Sequence, residues 1–295
     1  MAAASLVASI GPGPWPLSAL REAGWTDRQV RRAVDSGRLV RPHRGVVDLP
    51  STSHLDRIRA ALLVVGPRAV VSHDSGARVH RLWLPSPASE LIHLTEPGRA
   101  DRTDHGMRIH GSRLSSRHVV TVEGIPTTSL ARTAIDVARG RELPEAMVVI
   151  DSAAREIIRT GARHDLRLLR DPGTRAQLRS LAVDAFHDAF QEVWTWPGTV
   201  VARAAIALMD PASESPFESR SRGWLHLARL PAPRTAFYVR GASGTWYVAD
   251  FAWESHRLLG EADGIGKYGQ DRASVATSLR AERRRQRDLE DADWR

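Results

Sequence analysis

Two short helices, each closed by a glycine and followed at once by a hairpin, constrain the fold of residues 17–49 more tightly than any other stretch of this chain. The segment reads L-S-A-L-R-E-A-G-W-T-D-R-Q-V-R-R-A-V-D-S-G-R-L-V-R-P-H-R-G-V-V-D-L. A first helix stops at Gly24, Thr26 caps a second with Gln29 in the capping-box position, and Gly37 ends it. Arg38-Leu39-Val40 and Val46-Val47 then read as short strands around the turn Pro42-His43-Arg44-Gly45. Helix, helix and hairpin in that order predict a winged helix-turn-helix.

The charges fall where such a module would use them. Val30, Ala33 and Val34 supply the core-facing side of the second helix, and Arg28, Arg31 and Arg32 lie on the opposite face. That helix is the expected major-groove reader, with Arg41, His43 and Arg44 on a wing that touches phosphate. Between residues 17 and 45, seven arginines (21, 28, 31, 32, 38, 41, 44) stand against three acids (22, 27, 35). The whole chain has a formal charge of +8, so DNA is the expected partner.

At the other end, the only lysine of the chain, Lys267, follows Asp250, Glu261 and Asp263. Residues 245–268 read as an apolar run ending in Asp250, a turn, and a second run carrying Glu261 and Asp263. In a strand, positions two apart share a face, so Glu261 and Asp263 are expected to converge with Asp250 from the neighbouring strand. Such a cluster of hard oxygen ligands suits Mg2+. A metal activates water and neutralises the scissile phosphate, and a lysine orients the attacking water, which together serve phosphodiester hydrolysis. Upstream, Ser215 before Pro216, with Glu218 three residues on, signals a helix start.

These tail residues resemble the PD-(D/E)XK nucleases, with Asp250 as first acid and Glu261 as second. In that family the lysine stands two residues after the second acid, where this chain has Asp263. Lys267 would therefore act from a displaced position, or Asp263 would serve as a further ligand. Residues 206–295, with Glu218 on a helix and the Arg-rich stretch L-R-A-E-R-R-R-Q-R-D-L, are similar to Vsr-like endonuclease domains. The resemblance implies a restriction-endonuclease-like α/β domain with Glu218, Asp250, Glu261, Asp263 and Lys267 as catalytic positions. It also implies an apolar strand after the Arg-rich helix, so the domain is expected to lack its last strand and to leave that helix unanchored.

Residues 17–49 resemble the N-terminal domain of AbiEi-type antitoxins, the regulators of type IV toxin-antitoxin systems. Residues 68–84 (R-A-V-V-S-H-D-S-G-A-R-V-H-R-L-W-L) and 123–139 (E-G-I-P-T-T-S-L-A-R-T-A-I-D-V-A-R) look like two recurring blocks of that family's middle domain. In the second block Thr128 or Ser129 is a helix cap. The likeness implies a cognate toxin as a protein partner.

Helical periodicity follows over residues 140–205, with Ala146, Val149, Ile150, Ala153 and Ile157 as a buried stripe and Asp171-Pro172-Gly173 as a breaker. The chain has no cysteine, which excludes disulfides and thiol catalysis, and no run of membrane-spanning length, so a cytoplasmic protein is expected. Its 12 histidines are scattered: pairs such as His73 with His80 or His105 with His110 lack metal-ligand spacing and are expected to be surface or core residues.

The expected organisation is multi-domain α/β. A winged helix-turn-helix spans residues 1–50, a mixed α/β middle domain 51–139, a helical connector 140–205 and a nuclease-like domain 206–295. The leading functional expectation is Mg2+-dependent DNA cleavage guided by the head, in a defence or toxin-antitoxin setting. The alternative is a non-catalytic transcriptional regulator or antitoxin.

Overall fold

A computed structural model describes residues 10–50, 53–161, 165–262 and 272–295, with 161 and 272–279 by backbone alone. Contacts divide the chain into two units, residues 1–81 with 87–133 and residues 82–86 with 134–295. It is a mixed α/β, multi-domain protein with a winged helix-turn-helix-like N-terminus.

The head begins with a two-residue strand β1 (Trp15–Pro16), then α1 (Leu17–Glu22), α2 (Asp27–Asp35), β2 (Val40–His43) and β3 (Val46–Asp48). Both helices end in paired C-terminal hydrogen bonds: Trp25 N to Leu20 O and Gly24 N to Arg21 O after α1, Arg38 N to Ala33 O and Gly37 N to Val34 O after α2. This closure needs a left-handed residue, which Gly37 supplies at φ +70°. It also delays β2 relative to the expected strand, because Arg38 and Leu39 are spent on closing α2 and Leu39 drops into the core. Trp15 pairs with Val47, which adds a third strand that the sequence pattern is too short to announce. Trp15, Leu20, Val30, Ala33, Leu39 and Val47 form the core of the head.

The rest of the first unit is a six-stranded mixed sheet in the order β6-β7-β5-β4-β9-β8. Its strands are β4 (Val70–Val71), β5 (Ile92–Thr95), β6 (Arg102–Asp104), β7 (Met107–His110), β8 (Val119–Val122) and β9 (Ile125–Thr128). The two blocks singled out in the sequence are its strand-helix units: β4 leads into α4 (His73–Val79) and β9 into α5 (Leu130–Ala138). The two strands lie side by side in parallel, with Val71 opposite Thr127. Ser129 accepts a 3.4 Å hydrogen bond from Arg132 N in the first turn of α5. One face of the sheet carries Val71, Ile92, Leu94, Met107 and Ile109 against Ile58 and Ala61 of α3 (His54–Val65).

Helix α3 starts with a capping box between Ser53 and Asp56, and His54 in its first turn accepts from Arg57 Nη2 at Nδ1 (2.9 Å). Burial and the neighbouring Arg78 and Arg57 lower the His54 imidazole to about 4. Because the folded value lies below the unfolded 6.5, the neutral ring contributes stability above that pH and loses it as pH falls toward 4. Thermal melts of the wild type should therefore weaken between pH 6.5 and 4, and His54→Gln should flatten that slope. An unchanged slope in the variant would assign the acid sensitivity to other groups.

In the second unit, α6 (Leu143–Gly161) is the central helix and lies against α7 (Pro172–Phe190), α8 (Thr199–Ala207) and α9 (Pro216–Leu227). Its buried face carries Ala146, Val149, Ile150 and Ala153, but Ile158 rather than Ile157 completes the stripe. Asp171-Pro172-Gly173 does not separate two helical patterns so much as start one: Asp171 accepts from Thr174 N at 2.7 Å, with Pro172 in the first turn of α7. A three-stranded antiparallel sheet follows, β10 (Arg234–Arg240), β11 (Trp246–Trp253) and β12 (Leu258–Gly260), and then α10 (Arg272–Glu290).

Helix α10 is anchored, against expectation. Leu289 and Trp294 pack with Val239, Phe237 and Leu259, and Trp294 lies beneath the Arg257 guanidinium at 4.4 Å. The backbone of Arg295 accepts from Leu259 N (2.7 Å) and donates to Arg257 O (2.9 Å), so the residues after the helix cover the β12 side of the sheet. No helix among the described residues is long and apolar enough to cross a membrane.

Candidate nucleic-acid interface

The second helix of the head presents its arginines as a ready-made face. Thr26 accepts from Gln29 N (3.3 Å) while Gln29 Oε1 accepts from Thr26 N (2.7 Å), which completes the capping box and sets where α2 begins. At about 100° per residue, burial of Val30 and Ala33 forces Arg28, Arg31 and Arg32 to the opposite side, and all three are exposed. Asp27 in the first turn is tied to Arg21 at 3.0 Å. That hydrogen bond and charge, helped by Arg31 and Arg41, hold its carboxyl below the ordinary aspartate value. Arg31 of α2 and Arg41 of β2 line one surface groove of about 360 Å³ together with Arg21, Asp27 and Asp35.

On the wing, Arg44 and Gly45 form the two-residue connection between His43 and Val46, which are paired across the hairpin. Arg41 and Arg44 are exposed there. His43 is not: only 7% of it is accessible, and burial lowers its imidazole below the usual value. The alternation of the short strand turns this ring inward, so a phosphate contact from His43 does not fit its place. The exposed set is Arg28, Arg31, Arg32, Arg41 and Arg44.

In the tail, Asp263 and Lys267 lie outside the described residues, and Glu218, Asp250 and Glu261 are placed. Glu218 sits in the first turn of α9, where its N–H donates to the Ser215 cap (3.2 Å) and its carboxylate accepts from Glu214 N (2.7 Å). Burial raises its pKa, and the charges of Asp250 and Glu214 add to the effect. Asp250, in the middle of β11, accepts from Ala262 N at 2.7 Å. Glu261 is not on a strand, since β12 ends at Gly260, and its carboxylate is paired with Arg285 of α10.

Arg285 also donates to Val248 O (2.8 Å) and lies over the Tyr247 ring, which fixes the cation beside Glu261. Asp250 and Glu261 are thus held by partners of their own. Among the described residues the three acids do not gather into a cation-sized cluster. Of the expected Mg2+ ligands only Asp250 and Glu261 are placed, since Asp263 lies outside the described residues.

Among the described residues, the group whose ligand atoms do converge is His73, His93 and His110. Sequence spacing missed it, because the three residues are brought together by parallel pairing of β5 with β7 and by the turn into α4. The signal available was the strand alternation in I-H-L-T and M-R-I-H, which puts both strand histidines opposite the apolar face.

The head is thus a winged-helix module with an arginine-faced second helix. Residues 17–49 match the family model described as "Transcriptional regulator, AbiEi antitoxin". Over 240 residues the chain is 27% identical to the uncharacterized proteins MT2308 and Rv2248 of Mycobacterium tuberculosis, covering 81% of this chain and 79% of each relative. A crystal structure of the RV2827C protein from Mycobacterium tuberculosis is similar with a TM-score of 0.40 at 13% identity, over 70% of this chain and 79% of that one.

Proposed function

We propose that this chain is a DNA-binding transcriptional regulator of the antitoxin kind, acting in the cytoplasm with a cognate toxin as its protein partner. The observation that carries this reading is the exposed face of Arg28, Arg31 and Arg32 on a helix whose caps and core-facing valine and alanine leave it no other orientation. The family likeness over residues 17–49 falls on the same helix and hairpin. In such a head the helix enters the major groove, where Arg28, Arg31 and Arg32 reach base edges and the flanking phosphates, and the wing arginines, Arg41 and Arg44, hold further phosphates. DNA hydrolysis draws no comparable support, because the Asp250 and Glu261 carboxylates are engaged by Ala262 N and Arg285.

Titration of labelled duplex with the full chain over a salt series tests the proposal. Each phosphate neutralised contributes about 0.9 to the slope of log affinity against log salt, so the triple variant Arg28→Ala, Arg31→Ala, Arg32→Ala should flatten it by up to about 2.7. A variant that keeps the wild-type slope would remove the helix from the interface. The same samples with Mg2+ should leave the duplex uncut. Cleavage by the wild type that disappears in Asp250→Asn would replace the regulator reading by phosphodiester hydrolysis.

A further inference from the structure

The strands that build the middle sheet carry two chemistries on their two faces. Ile92, Leu94, Met107 and Ile109 point into the core. The alternate positions of the same strands, His93 of β5 and His110 of β7, therefore share the other face, and the parallel register sets His110 opposite Thr95, two residues from His93. His73 arrives from a third place, the start of α4, where its backbone takes the left-handed φ of +49°. A β-carbon-bearing residue adopts that conformation at a cost of order 1 kcal/mol, and the turn lays the His73 ring on that of His110 with centroids 3.7 Å apart.

We propose that His73, His93 and His110 form a binding site for a divalent transition-metal ion of the zinc class. Each offers one ring nitrogen, and the three atoms lie within 4.8 Å of one another. His93 Nδ1 and His110 Nε2 are already 3.0 Å apart. Two nitrogens on one tetrahedral zinc, at bond lengths near 2.05 Å, stand about 3.3 Å apart, so this edge of the site needs only a small adjustment. An ion bound there would replace the hydrogen bond between those two nitrogens.

Two of the ring nitrogens have partners of the kind that metal-bound imidazoles use. His93 Nε2 meets Ser89 Oγ at 2.8 Å and His73 Nδ1 meets Ser72 Oγ at 3.0 Å. Ser72 is itself held by Thr95 Oγ1 at 2.9 Å. Outer contacts of this kind fix the ring orientation and tautomer of ligands. The backbone is equally committed: Ser72 N donates to His93 O and Glu96 N to His110 O.

Arg108, whose charge would oppose a cation on this face, is drawn toward Thr103 and Asp101. Three imidazoles without a carboxylate favour zinc and its neighbours over hard Mg2+. The cluster is half-buried, so a water or an acidic side chain from a partner can complete the coordination.

The test uses the full chain without an affinity tag, stripped with chelator and titrated with Co2+ as the spectroscopic probe and with Zn2+ in competition. One equivalent should bind at micromolar metal, Zn2+ should displace Co2+, and Mg2+ should not. His93→Gln and His110→Gln should each weaken binding about 100-fold or more, and His226→Gln, exposed on α9, should bind as the wild type does. Absence of saturable binding to the wild type, or full binding by the two variants, overturns the proposal. Should either variant fail to fold by circular dichroism, the wild type decides: a melting temperature raised by Zn2+ and restored by chelator, with nitrogen-only protein ligation in X-ray absorption, supports the site, and an unmoved melting temperature refutes it.

Discussion

Arg222→Ala is expected to destabilise the second unit by about 3–5 kcal/mol at pH 8, the cost of stranding one half of a buried ion pair, and by distinctly less at pH 5. Arg222 Nη1 reaches Asp151 Oδ2 at 2.8 Å between α9 and α6, and the Asp151 carboxylate is completely buried. Its other oxygen accepts from Asp210 N at 2.8 Å. Burial pushes the Asp151 carboxyl up to about 6 even though the Arg222 guanidinium pulls it down.

A folded value raised above the unfolded 3.8 means that the group's contribution to stability is complete below about pH 4 and is lost as pH rises through 6. Without Arg222 the carboxyl moves further up, so at pH 5 it holds a proton at no added cost, whereas at pH 8 the variant must either keep an unpaired buried charge or take up a proton against the bulk pH, and both cost stability. Urea unfolding of both proteins at the two pH values measures the difference. Equal losses at pH 5 and pH 8 would show that the damage comes from the lost packing of a long side chain and not from the stranded buried charge.

How much of this molecule is readable from its sequence depends on how local the signal is. Thr26 with Gln29, and Gly24 and Gly37 after the last turns, act on backbone groups within six residues, so the helices of the head appear where their caps say. The start of β2 is less readable because the same closure that Gly37 permits consumes Arg38 and Leu39. His43 looks like a wing residue by position, and only the pairing of β2 with β3 shows that its ring is buried.

In the tail the unreadable part is of a different kind. Asp250 is correctly a strand residue, but the spacing of Glu261 says nothing about Arg285, 24 residues later, which claims that carboxylate. Charge pairing between distant elements leaves no period in the sequence. The histidine cluster is hidden for the same reason: 17 residues separate His93 from His110, and a parallel register, not a spacing rule, makes them neighbours.

The stretch Trp194-Thr195-Trp196-Pro197-Gly198, readable only as the end of a helical pattern, is where a single methyl group should do great harm. Gly198 precedes α8 with φ +80°, and a β-carbon there would stand 2.0 Å from Arg139 O and 2.8 Å from Arg139 C. Both atoms belong to the backbone just after α5, and Arg139 is pinned by its bond to Pro197 O (3.1 Å) and by its place over the Trp196 ring. The chain cannot yield at one point without releasing the others. Left-handed strain of about 1–2 kcal/mol adds to an overpacking cost of about 1–3 kcal/mol, so Gly198→Ala should lose roughly 2–5 kcal/mol.

Gly173 makes the contrast. It lies in the first turn of α7, and a β-carbon there meets only Asp171 Oδ2 at 3.5 Å. Gly173→Ala should therefore gain about 0.4–1 kcal/mol by restricting the unfolded chain. Denaturant midpoints of the two variants should move in opposite directions from the wild type. A Gly198→Ala protein as stable as the wild type would mean that the loop and the Arg139 backbone separate at little cost, and that this junction does not hold the helices of the second unit together.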